Sequence, residues 1–262
     1  MQHATSTDGT RIAYEQGGGG PHLLLVHGSV LNRARWATIR PLFERHFTVS
    51  AMDRRGYGES DDQADYALAR EFEDIVAVVD ALGAPVLLFG HSFGALCALE
   101  AAMRTDRLSG LVLYEPFIGE GEGFCSPEQL RRLEDLLAAG DRAGVVRTFM
   151  ADVMGMAPQQ IDALQSSPTW ANRVAAAHTI PREHRAEERY RLPVERAARL
   201  STPTLLLQGG ESLPVFAAVI ARLQSVLPNA RTTILPGQQH MAMETAPDLV
   251  VAAVLDFWRA LR

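Results

Sequence analysis

Lysine is absent from this 262-residue chain: all 25 of its basic residues are arginine. A pyridoxal or Schiff-base enzyme needs an amine that can lose its proton, and a phosphate-binding P-loop needs its own lysine. Guanidinium serves neither purpose, so both classes are excluded. Cysteine is scarce as well. Cys97 and Cys125 are the only two, too few for a disulfide framework and without metal-ligand spacing. Among the eight histidines no H-x-x-x-H pair occurs, which argues against a zinc site. No run approaches the roughly 18 consecutive apolar residues of a membrane span. The formal charge of −6 comes with no basic stripe, so neither nucleic acid nor a membrane surface is an expected partner. The opening "MQHATSTDGT" has no basic region followed by an apolar one, and the expected location is cytoplasmic. Gly17 to Gly20 do not form a G-x-G-x-x-G loop that opens a helix. No cofactor is expected.

What is present is an alternation. "HATSTDGTRIAYEQ" reads as a hairpin turning at Asp8-Gly9. Six short apolar runs follow, "HLLLVHG", "FTVSAMDR", "PVLLFG", "LSGLVLYE", "PTLLLQGG" and "ARTTILPG", each ending at polar or glycine-rich residues. Such runs suit a parallel sheet covered on both faces. Helical patterns at Trp36–His46, Tyr66–Leu82, Ala95–Arg104, Val215–Leu227 and Pro247–Leu261 separate most of them. The expected fold is therefore α/β, a doubly wound, mostly parallel, eight-stranded sheet. Nearly ninety residues between Glu115 and Thr204 hold no convincing strand. They hold helical patterns, one of which opens with a capping box at Ser126-Pro127 and Gln129. An all-helical insertion at the carboxyl edge of a parallel sheet overlies the ligand-binding crevice. The expected division is a core of residues 1–116 and 200–262 with a helical lid at 117–199.

The stretch "VLLFGHSFGALCALE", Val86 to Glu100, places a serine between two glycines where a buried strand becomes a helix. G-x-S-x-G in that setting is a nucleophile elbow, a sharp turn that presents Ser92. The helix that follows offers N–H groups where negative charge would develop. A serine hydroxyl needs a base to take its proton. His240, in "ILPGQQHMAMETAP" after the last strand, is the histidine in the right place. His27 and His91 lie beside glycine turns and read as architectural.

These features together resemble the α/β-hydrolase superfamily over almost the whole chain. The matching pieces are His27-Gly28 after the third strand with Trp36 downstream, "DRRGYGES" at 53–60, the elbow, and the histidine loop before a C-terminal helix. The resemblance implies an oxyanion hole at the backbone N–H groups of Ser29 and Phe93. It also implies acyl transfer, because relatives of this fold that open epoxides or displace halide attack with aspartate, and position 92 is serine. The triad acid departs from the commonest family pattern. G-x-x-D after the seventh strand would fall on Ser212, which cannot serve. Glu115, at the end of the sixth strand, is the favoured acid, and Glu211 is the alternative.

The expected function is a serine hydrolase that cleaves a small or medium carboxylic ester, lactone or thioester through an acyl-serine intermediate. The partner would be a small apolar molecule, and the protein a monomer or homodimer. An acyltransferase, a C–C bond hydrolase or a perhydrolase would use the same residues. A binding module that has kept the fold without turnover is the third alternative, suggested by the missing acid at 212. Asp53 and Tyr57 read as turn residues. Met150, Met154, Met156 and Trp170 read first as the insertion's own core and second as an acyl pocket. Arg182, Arg185, Arg189 and Arg191 read as a solvated face, with a site for an acidic substrate as the lesser alternative.

Overall fold

The computed structural model describes residues 1–118 and 124–262. Strands β1 (Gln2–Thr5) and β2 (Arg11–Gly18) form the expected hairpin, closed by Gly9 N–H on the Ser6 carbonyl at 3.0 Å. Then come β3 (His22–Val26), a 3₁₀ turn (Arg33–Trp36), α1 (Arg40–Phe43), β4 (Thr48–Met52), α2 (Leu68–Leu82), β5 (Val86–His91), α3 (Phe93–Ala102) and β6 (Leu108–Tyr114). The described elements before the next strand are all helical: α4 (Pro127–Ala138), α5 (Arg142–Thr148), a π-helical turn (Phe149–Val153), α6 (Pro158–Gln165), α7 (Trp170–Ala175), α8 (Thr179–Arg189) and α9 (Val194–Ala197). The chain closes with β7 (Thr204–Gly209), α10 (Pro214–Val226), β8 (Ala230–Leu235), α11 (Ala242–Thr245) and α12 (Pro247–Arg259).

The eight strands form one sheet in the order β1-β2-β4-β3-β5-β6-β7-β8, with β1/β2 and β2/β4 antiparallel and every later pair parallel. Side chains alternate across a strand, and both faces are covered here. Leu88, Leu111 and Leu206 pack with Ile75 of α2, Leu96 of α3 and Ile220 of α10. Leu87, Val112 and Leu205 turn the other way, toward Phe43 of α1 and Val254 of α12. That two-sided burial is why the central strands are continuously apolar. A third cluster, with Leu133, Val146, Phe149 and Ile180, is the core of the helical segment itself. Helix α4 begins with the expected capping box: Ser126 Oγ accepts Gln129 N–H at 3.2 Å and Gln129 Oε1 accepts Ser126 N–H at 2.8 Å. Among the described residues, no helix is long and apolar enough to cross a membrane.

One expectation is corrected. Trp36–His46 is not one helix but a 3₁₀ turn followed by the four residues of α1. Pro41 lies in the first turn of α1, the only helical position where a missing N–H and a fixed φ cost little. Continuity through it was therefore unavailable. Trp36 still packs on the sheet, its ring 5.3 Å from that of Phe89.

The loop after β4 carries two fully buried arginines, Arg54 and Arg55. Arg55 grips Asp74 of α2 through two bonds, 2.6 and 2.7 Å long, and reaches Asp8 at 3.0 Å. Removing one partner of such a pair leaves a desolvated charge behind. Asp74→Ala is expected to cost about 3 kcal/mol, the low end for a broken buried pair because Asp8 remains. A shift of the urea midpoint with an unchanged slope is the measurement that checks it.

Candidate active site

Ser92 joins the end of β5 to the start of α3 with φ 56° and ψ −126°. A side chain in that region is strained, and neighbouring contacts hold it there. Ser92 N–H donates to the Tyr114 carbonyl at 2.9 Å, and Ser92 O accepts Ala95 N–H at 2.9 Å. The turn also needs room. A Cβ on Gly28 would come within 2.9 Å of Ser92 Cβ, and one on Gly94 would collide with the His27 carbonyl. This is why glycines flank the serine: at Gly94 the loop after β3 packs directly on the turn, and at Gly90 a Cβ would collide with the Gly94 carbonyl and Ala95.

His240 Nδ1 lies 2.7 Å from Glu115 Oε2. Glu115 is fully buried, and its other oxygen accepts Gly209 N–H at 2.6 Å. The loop carrying His240 is held by the ends of two strands. The Tyr114 hydroxyl donates to the Gln239 carbonyl and accepts Ala242 N–H at 3.2 Å, while His91 Nε2–H donates to the His240 carbonyl at 2.9 Å. Phe216 stacks on the His240 ring at 4.5 Å between centroids. Of the two acids weighed, Glu115 is thus the one beside His240. Glu211 is solvent-exposed, with its backbone N–H on the Gln238 carbonyl. The Ser212 hydroxyl is shut in without a partner.

Ser29 lines the same cavity as Ser92, and Phe93 follows Ser92 in the chain. Phe93 opens α3, so its N–H has no acceptor within the helix. Ser29 Oγ donates to Glu183 Oε2 at 2.5 Å, and Val30 N–H donates to the Tyr57 hydroxyl at 3.1 Å. Tyr57 in turn donates to Glu183 Oε1 at 2.9 Å, and Arg54 reaches the same oxygen at 2.6 Å while also binding Glu71. Asp53 receives Arg33 N–H and Glu59 N–H, both at 2.9 Å, which is the turn role expected of it. Glu183 of α8 is therefore part of the loop's support, a partnership across 154 residues that no local pattern announces.

Ser92 and His240 line one cavity of about 190 Å³. Met150, Met154 and Met156 form part of its wall, so these residues serve the pocket as well as the helical core, whereas Trp170 serves only the latter. The charged lining was not foreseen: Arg35 paired with Glu244, His184 paired with Glu187 at 2.6 Å, and Arg173. The available signal for Arg173 was a lone arginine among the alanines of "WANRVAAAH". Arg182 is not simply solvated. It binds Asp62 at 2.8 Å and the Arg55 carbonyl at 3.2 Å.

The sequence profile described as "Alpha/beta hydrolase family" matches residues 23–253. A crystal structure described as an alpha/beta hydrolase from Sphaerobacter thermophilus is 36% identical, with a TM-score of 0.85, covering 98% of this chain and 100% of that one. The 2-(acetamidomethylene)succinate hydrolase of Mesorhizobium japonicum is 24% identical over 92% of this chain and 88% of its own. The pimeloyl-[acyl-carrier protein] methyl ester esterase of Edwardsiella ictaluri is 27% identical over 92% and 94%.

The buried imidazoles give the fold a pH dependence. Burial, reinforced by Arg54 at His27 and by His240 at His91, holds both far below the usual histidine value. His27 is a fixed neutral tautomer, with Nδ1–H on the Gly28 carbonyl and Nε2 accepting Arg54 N–H. At His184 burial opposes the charge, but Glu187 outweighs it and the value is raised. As pH falls below about 6.5, the unfolded chain gains protons at residues 27 and 91 that the folded chain refuses. Their stability is full above that pH and is lost below it. His184, raised instead of lowered, works in the opposite sense: its contribution is full below about 6.5 and is lost as pH rises. Between pH 6.5 and 5 each of the two contributes up to about 1.4 kcal/mol per pH unit. Urea unfolding of His91→Asn is expected to show a slope shallower by one proton.

Proposed function

Because the chain belongs to the alpha/beta hydrolase family, we propose that it is a serine hydrolase cleaving a small or medium carboxylic ester, lactone or thioester through an acyl-serine intermediate. The observation that carries this is the 2.7 Å bond from His240 to buried Glu115, with His240 and Ser92 lining one cavity. Ser92 Oγ attacks the carbonyl carbon while His240 Nε2 takes its proton. The carbonyl π electrons move to oxygen, and Ser29 and Phe93 N–H receive the oxyanion. Collapse expels the alcohol, lactone oxygen or thiol, protonated by His240. Water, deprotonated by the same histidine, then releases the acid and restores Ser92. Glu115 accepts Nδ1–H throughout, fixing the tautomer and stabilising the imidazolium.

The helical segment 117–199 is read as a lid over this cavity, its methionines giving an apolar wall to the substrate. Relatives named as a methyl ester esterase, an epoxide hydrolase and a succinate-derivative hydrolase support hydrolysis in general. Serine at position 92 favours the acyl route among them. A non-catalytic module loses its one support, since an acid stands beside His240 without any contribution from residue 212.

Intact mass after a fluorophosphonate probe tests the nucleophile: one adduct on the wild type and none on Ser92→Ala are expected. Turnover of a 4-nitrophenyl ester should fall on the order of 10⁴–10⁶-fold in Ser92→Ala and about 10⁴-fold in Glu115→Gln. Glu211→Gln should stay within a few-fold of wild type. An unlabelled wild type, or equal small losses in both glutamate variants, would overturn the assignment.

A further inference from the structure

Arg173 of α7 is 5% exposed and faces the cavity that holds Ser92 and His240. Its Nε is sealed from solvent with no acceptor, and no hydrogen bond or ion pair is made by this side chain among the described residues. Among the described residues, every other titratable side chain lining the cavity has a partner: Arg35 with Glu244, His184 with Glu187, His240 with Glu115. Arg173 makes no such pair among them: Glu244, the carboxylate that acts on it electrostatically, is already bound by Arg35.

A buried polar group without a partner is unfavourable, and a buried charge far more so. Some side chains escape by releasing a proton, but guanidinium cannot. Burial and the neighbouring Arg35, opposed by Glu244, pull its pKa down only to about 10, so it stays cationic at neutral pH. Among the described residues Arg35 and Arg173 thus share the one carboxylate of Glu244, which leaves one cation in excess in a small pocket whose remaining wall is largely Phe117, Phe124, Phe149, Met150, Met154 and Leu164. Its planar fork of N–H donors fits a carboxylate through two parallel bonds. A single free guanidinium balances one negative charge, which favours a carboxylate over a phosphate dianion.

We propose that Arg173 is the receptor for a carboxylate carried by the substrate, so that the acyl compound taken by this site is a half-acid: an ester, lactone or thioester with a free carboxylate beyond a short apolar spacer. This rests on the hydrolase function proposed above, and it narrows the apolar substrate expected from sequence to one with an anionic end.

Monoethyl glutarate and its neutral isostere, ethyl 4-carbamoylbutanoate, differ only in that charge. The wild type should prefer the acid in kcat/KM by on the order of 10–10²-fold, the range for a hydrogen bond to a charged group. In Arg173→Gln the preference should collapse toward one, mainly through KM. Arg173→Lys, which keeps a point charge, should retain part of it. Because the readout is a ratio within one protein, a loss of folded enzyme cannot imitate it. A wild type without the preference, or a preference unchanged in Arg173→Gln, overturns the proposal. Fluorophosphonate labelling separates the two ideas: an adduct on Ser92 with no acid preference defeats the carboxylate site alone. Absence of both adduct and turnover defeats the hydrolase reading, and glutarate binding by calorimetry then decides the site. Binding abolished by Arg173→Gln upholds it, and no binding overturns it.

Discussion

A carboxylate with no solvent contact must be answered by donors on both oxygens, and in this protein that demand falls on Glu115. One oxygen takes Gly209 N–H from the end of β7, and the other takes His240 from the loop after β8. Glu115 itself sits at φ 44°, its N–H on the Leu207 carbonyl at 3.2 Å. A single buried group thus ties the ends of β6 and β7 to the histidine loop. Losing either donor would leave the charge partly unsatisfied, which is far costlier than an ordinary hydrogen bond is worth. Tyr114 and His91 fix the backbone of the same loop from β6 and β5. The position of the imidazole is therefore set by three strand ends, not by its own loop.

The helical segment is joined to the sheet by the same kind of constraint. Glu183 of α8 binds Ser29, Tyr57 and Arg54, and Arg54 also binds Glu71 of α2. Burial raises the pKa of Glu71 against the opposing pull of Arg54, a sign of how much desolvation this cluster carries. Replacing such a group of charges with apolar side chains is often neutral or stabilising. Here its consequence is positional. The loop that bears Ser29 and a helix that lines the cavity share one carboxylate, so neither can shift alone. Thr179 adds a second tie, its hydroxyl 2.7 Å from that of Tyr57.

Legibility in the sequence followed the range of the interactions. The strand order along the chain, the elbow at Ser92 and the loop of His240 rest on local patterns: an apolar run, two glycines, a turn before a helix. Glu115 was favoured but Glu211 stayed open, because the choice depends on which strand end faces the histidine, and that is decided by packing across the sheet. Trp36–His46 misled because its apolar spacing outweighed Pro41. The last strand misled differently: β8 lies at the sheet edge, and Ile234 is 58% exposed, although its residues read like those of a buried strand. Glu183 and Arg173 left almost no trace, since Glu183 binds residues far away in the chain and Arg173 faces a cavity whose wall is drawn from distant segments.

The cavity divides its duties along the same lines. The sheet edge supplies Ser92, His240 and Glu115, whose positions are held by hydrogen bonds between strand ends. The helical segment supplies most of the apolar wall together with Arg173. In the proposed function, groups that act on the carbonyl thus belong to the sheet, and groups that face the rest of a ligand belong to the inserted helices. In the proposed reaction a substitution on α7 would change which molecules are held without moving the nucleophile. The reverse holds at β5 and β6, where any displacement is transmitted to Ser92 through the Tyr114 carbonyl and to His240 through Glu115. Substrate choice is consequently the more mutable property of this molecule, because function resides in the site and not in the fold that carries it.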